Sequence, residues 1–312
     1  MLLRVGIESV VLSGDDTDYP PPVQAQHEVV LQQLVELGLL VDDGPGALRK
    51  SIQAIRHVGL RKRWQKALKS LGARIDRPET GLNSGPLNTD ALRLVDLDVA
   101  LLSAEGAAAC DLPRHECSYI PSPDLPEVVR FDSAARSKRV TQLRKLRQSP
   151  IEMGTDVDEL WRTRFQPYAD RYSNVVIVDR YAGQLCTRTG DASGLAQTLW
   201  RLRGSRCVAG LKLYVGAENQ AHAFKIRDAI LDLEGTEGLR ELDLTVAPDE
   251  LFRLHAHGRY FRFSDQVLSV DTGLSVFEGQ KVPARCIFTA HRNFGSCRDV
   301  ERLLRAAQFS LF

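Results

Sequence analysis

A histidine and an arginine two residues apart are the pair in this sequence best suited to chemistry. His257 and Arg259 lie in the stretch His-Ala-His-Gly-Arg-Tyr-Phe-Arg-Phe. Alternate residues of an extended backbone share a face, so we expect both to project together, anchored by Phe261 and Phe263. A nucleophile or proton shuttle beside a permanent cation suits phosphodiester cleavage. His255 has the same parity and is an accessory candidate.

A carboxylate and a glycine-containing turn accompany this pair elsewhere in the chain. Asp179 directly follows the apolar run Val-Val-Ile-Val, and residues 271–275 follow a second short strand pattern. Because ligands of open α/β sheets bind beyond the carboxyl ends of strands, we expect Asp179, the turn and Arg259 to converge. The phosphate-binding candidates are Arg180, Thr272 and Ser275, and the further accessory candidates are Asp265 and Asp271.

Strand and helix patterns alternate along the chain and must position these residues. The C-terminal half is expected to form a mixed, mostly parallel sheet covered by helices, and the N-terminal part a separate, smaller α/β or α-rich domain. Prolines 113, 121, 123 and 126 mark a linker or long surface loop. The expected organisation is a domain at 1–111, a proline-rich linker with a basic helix at 112–150, and a domain at 151–312.

The order of these motifs resembles the phospholipase D superfamily. It looks most like the C-terminal phospholipase-D-like domain of MIT-domain-containing proteins and its bacterial relatives. The matching residues are Asp179-Arg180-Tyr181, His257-Gly258-Arg259-Tyr260 and the turn at 271–277, and the resemblance covers about residues 155–312. It implies a phospholipase-D-like fold and a phosphodiesterase without metal or cofactor, in which His257 attacks phosphorus and forms a phosphohistidine intermediate.

The sequence departs from the superfamily signature at two positions. Arg259 stands where that signature has lysine, and Asp265 comes one residue late. Arginine keeps the cation and binds phosphate bidentately, but it does not donate a proton at neutral pH. A complete site also needs two histidines, which a symmetric homodimer would supply. The alternative is a catalytically inactive domain that binds nucleic acid or a partner within a multi-protein complex.

A basic run in the middle of the chain is a candidate for contact with nucleic acid. It has no acidic residue, although such runs are usually solvated helix faces. The contact candidates are Arg136, Lys138, Arg139, Arg144 and Lys145. Because the net charge of the 312 residues is only +1, contact with nucleic acid must come from a local patch of this kind.

Acidic residues near strand and helix ends of the N-terminal part offer a third hypothesis. Clustered carboxylates hold Mg²⁺ in metal-dependent nucleases, such as those with PIN-like folds. The candidates are Glu8, Asp15, Asp16, Asp18, Asp42, Asp43, Asp96 and Asp98. Acidic loops without a metal have the same composition, so the pattern is not specific.

Cysteine usage and hydropathy bear on the compartment. The six cysteines show no paired Cys-x-x-Cys spacing, which favours reduced thiols and a cytoplasmic protein, and no apolar run reaches membrane-spanning length. The sequence therefore predicts a cytoplasmic, phospholipase-D-like phosphodiesterase or phosphate-binding protein acting on nucleic acid. A role in bacterial defence is a further hypothesis, which rests on the systems in which phospholipase-D-like domains occur and not on residues of this sequence.

Overall fold

The chain folds into two compact units, each with its own sheet. In the computed structural model the units are Leu2–Leu146 and Arg147–Phe312. The structure describes residues 2–12, 20–42, 46–79, 81–205, 210–234, 236, 239–255, 259–292 and 295–311, with the backbone alone at position 255. His257, Cys207 and the acidic residues Asp15, Asp16, Asp18 and Asp43 lie outside the described residues.

The first unit is a doubly wound α/β fold. Its strands are β1 Leu3–Ile7, β2 Gly38–Val41, β3 Ile75–Asp76, β4 Val99–Leu102, β5 Ser118–Tyr119 and β6 Glu127–Arg130. Its helices are α1 Pro21–Leu37, α2 Ala47–Ala54, α3 Val58–Leu71, α4 Thr89–Arg93, α5 Ala104–Ala109 and α6 Lys138–Leu146. The strand order is β3-β2-β1-β4-β6-β5, and every described pairing is parallel except that of β5 with β6. From β1 the chain adds β2 and β3 on one side and then β4, β6 and β5 on the other, so the topological switch point lies between β1 and β4. Two separate clusters of buried apolar side chains cover the sheet.

The proline-rich segment contains strands and is not a linker. β5 and β6 both belong to the first sheet, and β6 begins directly after Pro126. Proline disrupts the hydrogen bonding of a strand, and all four prolines of this segment lie outside β5 and β6. The basic helix α6 also belongs to the first unit, so the boundary between units falls between Leu146 and Arg147.

The second unit holds the elements that carry the proposed chemistry. Its strands are β7 Asn174–Val178, β8 Gly210–Ala217, β9 Glu241–Pro248, β10 Tyr260–Phe263, β11 Gln266–Val270 and β12 Phe288–Arg292. Its helices are α7 Val157–Leu160, α8 Gln166–Ala169, α9 Ala182–Thr189, α10 Gly194–Arg203, α11 Gln220–Leu231, α12 Asp249–His255 and α13 Ser296–Ala306. One π-helical turn, Trp161–Phe165, joins α7 to α8, and a short 3-10 turn occupies Gly273–Phe277.

The second sheet confirms the mixed α/β class. Its strand order is β12-β11-β10-β7-β8-β9. β7, β8 and β9 pair in parallel, whereas β10, β11 and β12 continue the sheet with antiparallel pairings. The sheet is therefore mixed, as the sequence predicts, and its parallel pairings are confined to one half. Within the other half, a tight hairpin at Ser264, with φ of 58°, joins β10 to β11 and makes this pair antiparallel.

An aromatic layer fixes β10 and the Gly273–Phe277 turn in place. The Phe165 ring lies 5.0 Å from that of Phe261 and 5.1 Å from that of Phe277, measured between centroids. Phe261 and Phe263 are fully buried on this face of the sheet, as the alternation of the strand requires. Through Phe165, these contacts fix the turn relative to β10, which pairs with β7.

Candidate phosphate site at the carboxyl end of β7

Asp179 is buried at the carboxyl end of β7 and binds two other segments through its carboxylate. Only 3% of the residue is exposed. Its Oδ1 accepts the backbone N–H of Tyr181 at 2.9 Å, and its Oδ2 accepts the N–H of Leu274 at 2.7 Å. Burial raises the pKa of Asp179, and these two N–H groups together with Arg259 act in the opposite direction. The carboxylate thus joins the end of β7 to the Gly273–Phe277 turn.

Arg259 reaches the same place from the neighbouring strand. Tyr260 pairs with Val178 across the antiparallel β7–β10 ladder, so residue 259 lies beside the end of β7. Its Nε is 4.0 Å from Oδ1 of Asp179, and its Nη1 donates to the Asp271 carbonyl at 2.6 Å. The side chain is 26% exposed. The structure therefore brings Asp179 and Arg259 together, as the sequence predicts.

Gly273 is required for this close approach. Its φ is +66°, and a Cβ at this position would lie 2.1 Å from Oδ2 of Asp179 and 2.5 Å from Cδ of Arg259. A side chain would therefore be strained in its backbone and would also displace both functional groups. Both the backbone conformation and the space beside Asp179 and Arg259 therefore require glycine at this position of the predicted turn.

Tyr181 contacts the guanidinium groups of two arginines. The Cζ atoms of Arg180 and Arg259 each lie 4.8 Å from the centroid of its ring. Arg180 also forms a bidentate ion pair with Asp249, the first residue of α12, and the hydrogen bonds that it donates to this carboxylate raise the pKa of Arg180. Cations within about 6 Å of an aromatic face are attracted by its quadrupole. Tyr181 thus orders two positive charges while its own side chain remains partly exposed.

Asp271, Thr272 and Ser275 lie in the turn beside Arg259. The Ser275 hydroxyl donates to the Thr272 carbonyl at 2.8 Å, whereas the Thr272 hydroxyl is buried without a hydrogen-bond partner among the described residues. Oδ1 of Asp271 accepts the Ile287 N–H at 3.0 Å. These groups shape the turn through contacts within it and its neighbouring strand, and Asp271 orients Arg259 through its carbonyl.

Two accessory candidates do not join the site. Asp265 lies in the β10–β11 hairpin, at the end of β10 remote from Arg259, where it pairs with Arg292. His255 is the last residue of α12, so it does not share a strand face with Arg259. The expectation of one extended strand from 255 to 263 is wrong because α12 occupies its beginning.

The basic helix α6 uses part of its charge inside the first unit. Arg139 donates to the carbonyls of Asp98 and Leu125, each at 2.8 Å, and Arg144 pairs with Glu36 at 3.1 Å. Arg136 donates to the Cys117 sulfur at 3.0 Å. Lys138 and Lys145 are exposed. The predicted nucleic-acid surface is therefore reduced, because Arg139 and Arg144 hold neighbouring segments in place.

The described acids of the first unit do not form one cluster. Glu8 follows β1, where its Oε2 accepts the Ser103 N–H at 2.6 Å, and Asp42 follows β2 and accepts the Leu48 N–H. Asp96 and Asp98 precede β4 and lie at the opposite edge of the sheet, since Val99 pairs with Val5. Within the described ranges, no group of three or more metal-binding side chains is close enough to hold an ion.

Sequence reasoning missed two contributors to the site. Tyr181 directly follows Asp179 and Arg180, and its position in that motif was the available signal. Asp249 has no comparable signal, because only the fold brings the start of α12 to Arg180. Its role is to fix the orientation of one of the two guanidinium groups.

Comparisons with known proteins leave the family open. No protein-family model matches the chain, and no curated protein matches its sequence. A solved structure of TrmBL2, an archaeal chromatin protein described as showing a novel mode of DNA binding, is 13% identical with a TM-score of 0.27; the match covers 56% of this chain and 63% of that one. A similarity this low carries no argument, so the phospholipase D resemblance stays a prediction. Among the described helices, none is both long and apolar enough to span a bilayer.

Proposed function

We propose that the Asp179–Arg259 site binds a phosphodiester group of nucleic acid. The observation that carries this proposal is the fixed orientation of Arg259, which contacts Asp179, the Asp271 carbonyl and the Tyr181 ring at once. Its Nη2 makes no hydrogen bond to any described residue. A preorganised guanidinium loses little entropy on binding, and it forms strong charge-assisted bonds to phosphate oxygens.

Nucleic acid fits this site better than an isolated phosphate because of Tyr181. Tyr181 is 36% exposed beside the cation. Single-stranded nucleic acid is bound by basic side chains along its backbone and by aromatic rings that stack on its bases. Arg259 and Tyr181 supply one group of each kind within a single site.

Cleavage of the phosphodiester is the finer part of the proposal, and it depends on His257. In that reaction a ring nitrogen of His257 forms a bond to phosphorus while the bond to the leaving oxygen breaks. Arg259 neutralises the charge on the remaining phosphate oxygens. The histidine of a second copy in a homodimer protonates the leaving oxygen, and water then hydrolyses the phosphohistidine. Asp179 acts as a positioning residue in both steps. The proposed compartment of the reaction is the cytoplasm.

The test is binding and turnover of a fluorescent single-stranded oligonucleotide, measured in EDTA and again with Mg²⁺ in place of EDTA. We expect Arg259→Gln to weaken binding at least tenfold, and Arg188→Gln, an exposed arginine on α9, to leave it unchanged. Turnover lost in His257→Ala supports the phosphodiesterase. Binding that needs Arg259 without any turnover supports the inactive adaptor. Turnover that requires Mg²⁺ and survives His257→Ala, with binding independent of Arg259, would overturn the proposal in favour of a metal-dependent nuclease.

A further inference from the structure

A second concave surface of the Arg147–Phe312 unit lies away from the Asp179–Arg259 site. A cavity of about 580 Å³ opens between the π-helical turn after α7 and the C-terminal end of α10. This volume is within the range of about 300–1,000 Å³ that is typical of small-molecule sites. Asp179 and Arg259 do not line the cavity.

An exposed tryptophan is the most unusual feature of this cavity. Trp200 is 64% exposed on α10, whereas Trp64 and Trp161, the other two tryptophans, are buried. Large aromatic side chains on a surface mark interaction sites more often than isolated aliphatic ones do. The Arg201 guanidinium lies 5.8 Å from the centroid of the Trp200 ring, within the range of a cation–π contact.

The charge of the cavity selects an anionic ligand. Three of its lining residues are arginines, against one carboxylate, that of Asp158. Asp158 pairs with Arg201 at 2.6 Å. The other two, Arg162 and Arg203, are exposed, and neither forms an ion pair with a carboxylate in the described part of the chain. Two positive charges beside an indole therefore remain available to a ligand.

We propose that this cavity binds a nucleotide. The base stacks on Trp200, and Arg162 and Arg203 bind the phosphate. Gln166, which also lines the cavity, offers both a donor and an acceptor to the edge of the base. The site thus recognises one planar ring and one phosphate. A free mononucleotide and a nucleotide at the end of a nucleic-acid strand both carry these two groups.

The fluorescence that acrylamide quenches reports mainly on Trp200, because Trp64 and Trp161 are buried. Trp161 also lines the cavity, so the same titrations of Trp200→Phe identify the part of any change that comes from the other two tryptophans. The full chain is titrated with AMP, adenosine, inorganic phosphate, and single-stranded oligonucleotides with and without a 5′-phosphate. We expect AMP to quench the emission and to protect it from acrylamide, adenosine to do so only at higher concentration, and inorganic phosphate to have no effect. Stronger quenching by the 5′-phosphorylated oligonucleotide than by AMP would identify a strand end as the ligand, and the reverse would identify a free nucleotide.

Variants separate the two halves of the proposed site. Arg162→Gln and Arg203→Gln should each weaken AMP about tenfold and leave adenosine unchanged, with Arg188→Gln as the matched control. Trp200→Ala, followed by equilibrium dialysis, should remove one AMP site per chain, and Trp200→Phe should retain weakened binding. Absence of quenching by AMP at millimolar concentration, or full AMP stoichiometry in Trp200→Ala, would overturn the proposal.

Discussion

Nε of Arg259 lies 4.0 Å from Oδ1 of Asp179, although the two residues come from β10 and β7, which are far apart in sequence. The carboxylate is buried and the guanidinium is partly exposed. This asymmetry assigns different tasks to the two groups. Asp179 holds the backbone of three segments together, and Arg259 offers the charge that a ligand can reach.

Gly273→Ala should destabilise the Arg147–Phe312 unit by about 2–4 kcal/mol. The left-handed backbone costs about 1 kcal/mol for alanine, and the clash with Asp179 and Arg259 adds about 1–3 kcal/mol of overpacking. Gly154→Ala is the matched control, since its φ is +82° and no atom lies within 4 Å of the added Cβ. Denaturant unfolding measures both variants. Equal losses of unfolding free energy in the two variants would show that the close approach of Asp179 does not require glycine at position 273.

Tyr181 should matter for binding through its ring and not through its hydroxyl. Its ring centroid lies 4.8 Å from Cζ of both Arg180 and Arg259. Tyr181→Ala removes both contacts and the stacking surface, and should weaken oligonucleotide binding about tenfold. Tyr181→Phe keeps the ring and should stay within about twofold of the unmodified protein. Fluorescence anisotropy at constant salt measures this, and a Phe variant as weak as the Ala variant would refute the role of the ring.

The centre of the site could be predicted from sequence because it depends on strand ends. The apolar run Val-Val-Ile-Val forms all but the first residue of β7, and Asp179 follows it. Arg259 lies beside that end because Tyr260 pairs with Val178. Local pattern and the geometry of strand ends were sufficient for these two residues.

The segment before Arg259 was predicted incorrectly because two local patterns overlap there. The alternation His-Ala-His-Gly-Arg favours a strand, but Asp249 and Glu250 provide the acidic first turn of a helix, and Phe252 is buried on its inner face. The helical signal lies upstream of the histidines and determines the conformation up to His255. The ion pair of Arg180 with Asp249 depends on tertiary structure, which no local pattern encodes.

Glu127 should stabilise the first unit by capping α6 from a neighbouring strand. This buried carboxylate accepts the Lys138 N–H at 2.7 Å, the Arg139 N–H at 2.9 Å and the Ser137 hydroxyl at 2.7 Å. Glu127→Gln places an amide N–H against a backbone N–H, and should cost about 1–3 kcal/mol in unfolding free energy. The exposed cap Asn88→Ala should cost only about 1 kcal/mol in the same measurement. A smaller loss for Glu127→Gln than for Asn88→Ala would contradict this account.

Cys117 should be more reactive than Cys110 and Cys186. The Ser133 hydroxyl and the Arg136 guanidinium, which donates to its sulfur, lower the pKa of Cys117, whereas burial raises the pKa of Cys110 and of Cys186 to about 11. The thiolate is the reactive form, so iodoacetamide at neutral pH should label Cys117 before Cys110 and Cys186. Arg136→Gln should slow that labelling several-fold, and mass spectrometry of the labelled peptides measures it. An unchanged rate would show that Arg136 does not stabilise the thiolate.

His27 should make the first unit less stable in acid. Its ring is buried against Phe131, and its Nδ1 accepts the Trp64 indole N–H at 3.2 Å. Burial lowers the pKa of His27 from 6.5 to about 4, so folding favours the neutral ring. Its contribution is therefore fully present above pH 6.5 and is lost as the pH falls toward 4, a change of up to about 3 kcal/mol.

His27→Gln keeps an acceptor for the Trp64 indole and removes the titration. Denaturant unfolding at several pH values between 4 and 6.5 should therefore show a much smaller slope for this variant than for the unmodified protein, even if the variant is less stable at neutral pH. His115→Gln, at an exposed position of the same unit, is the control and should retain the original slope. If His27→Gln retains that slope as well, protonation of His27 is not what destabilises the unit in acid, and the acid sensitivity must arise from other groups.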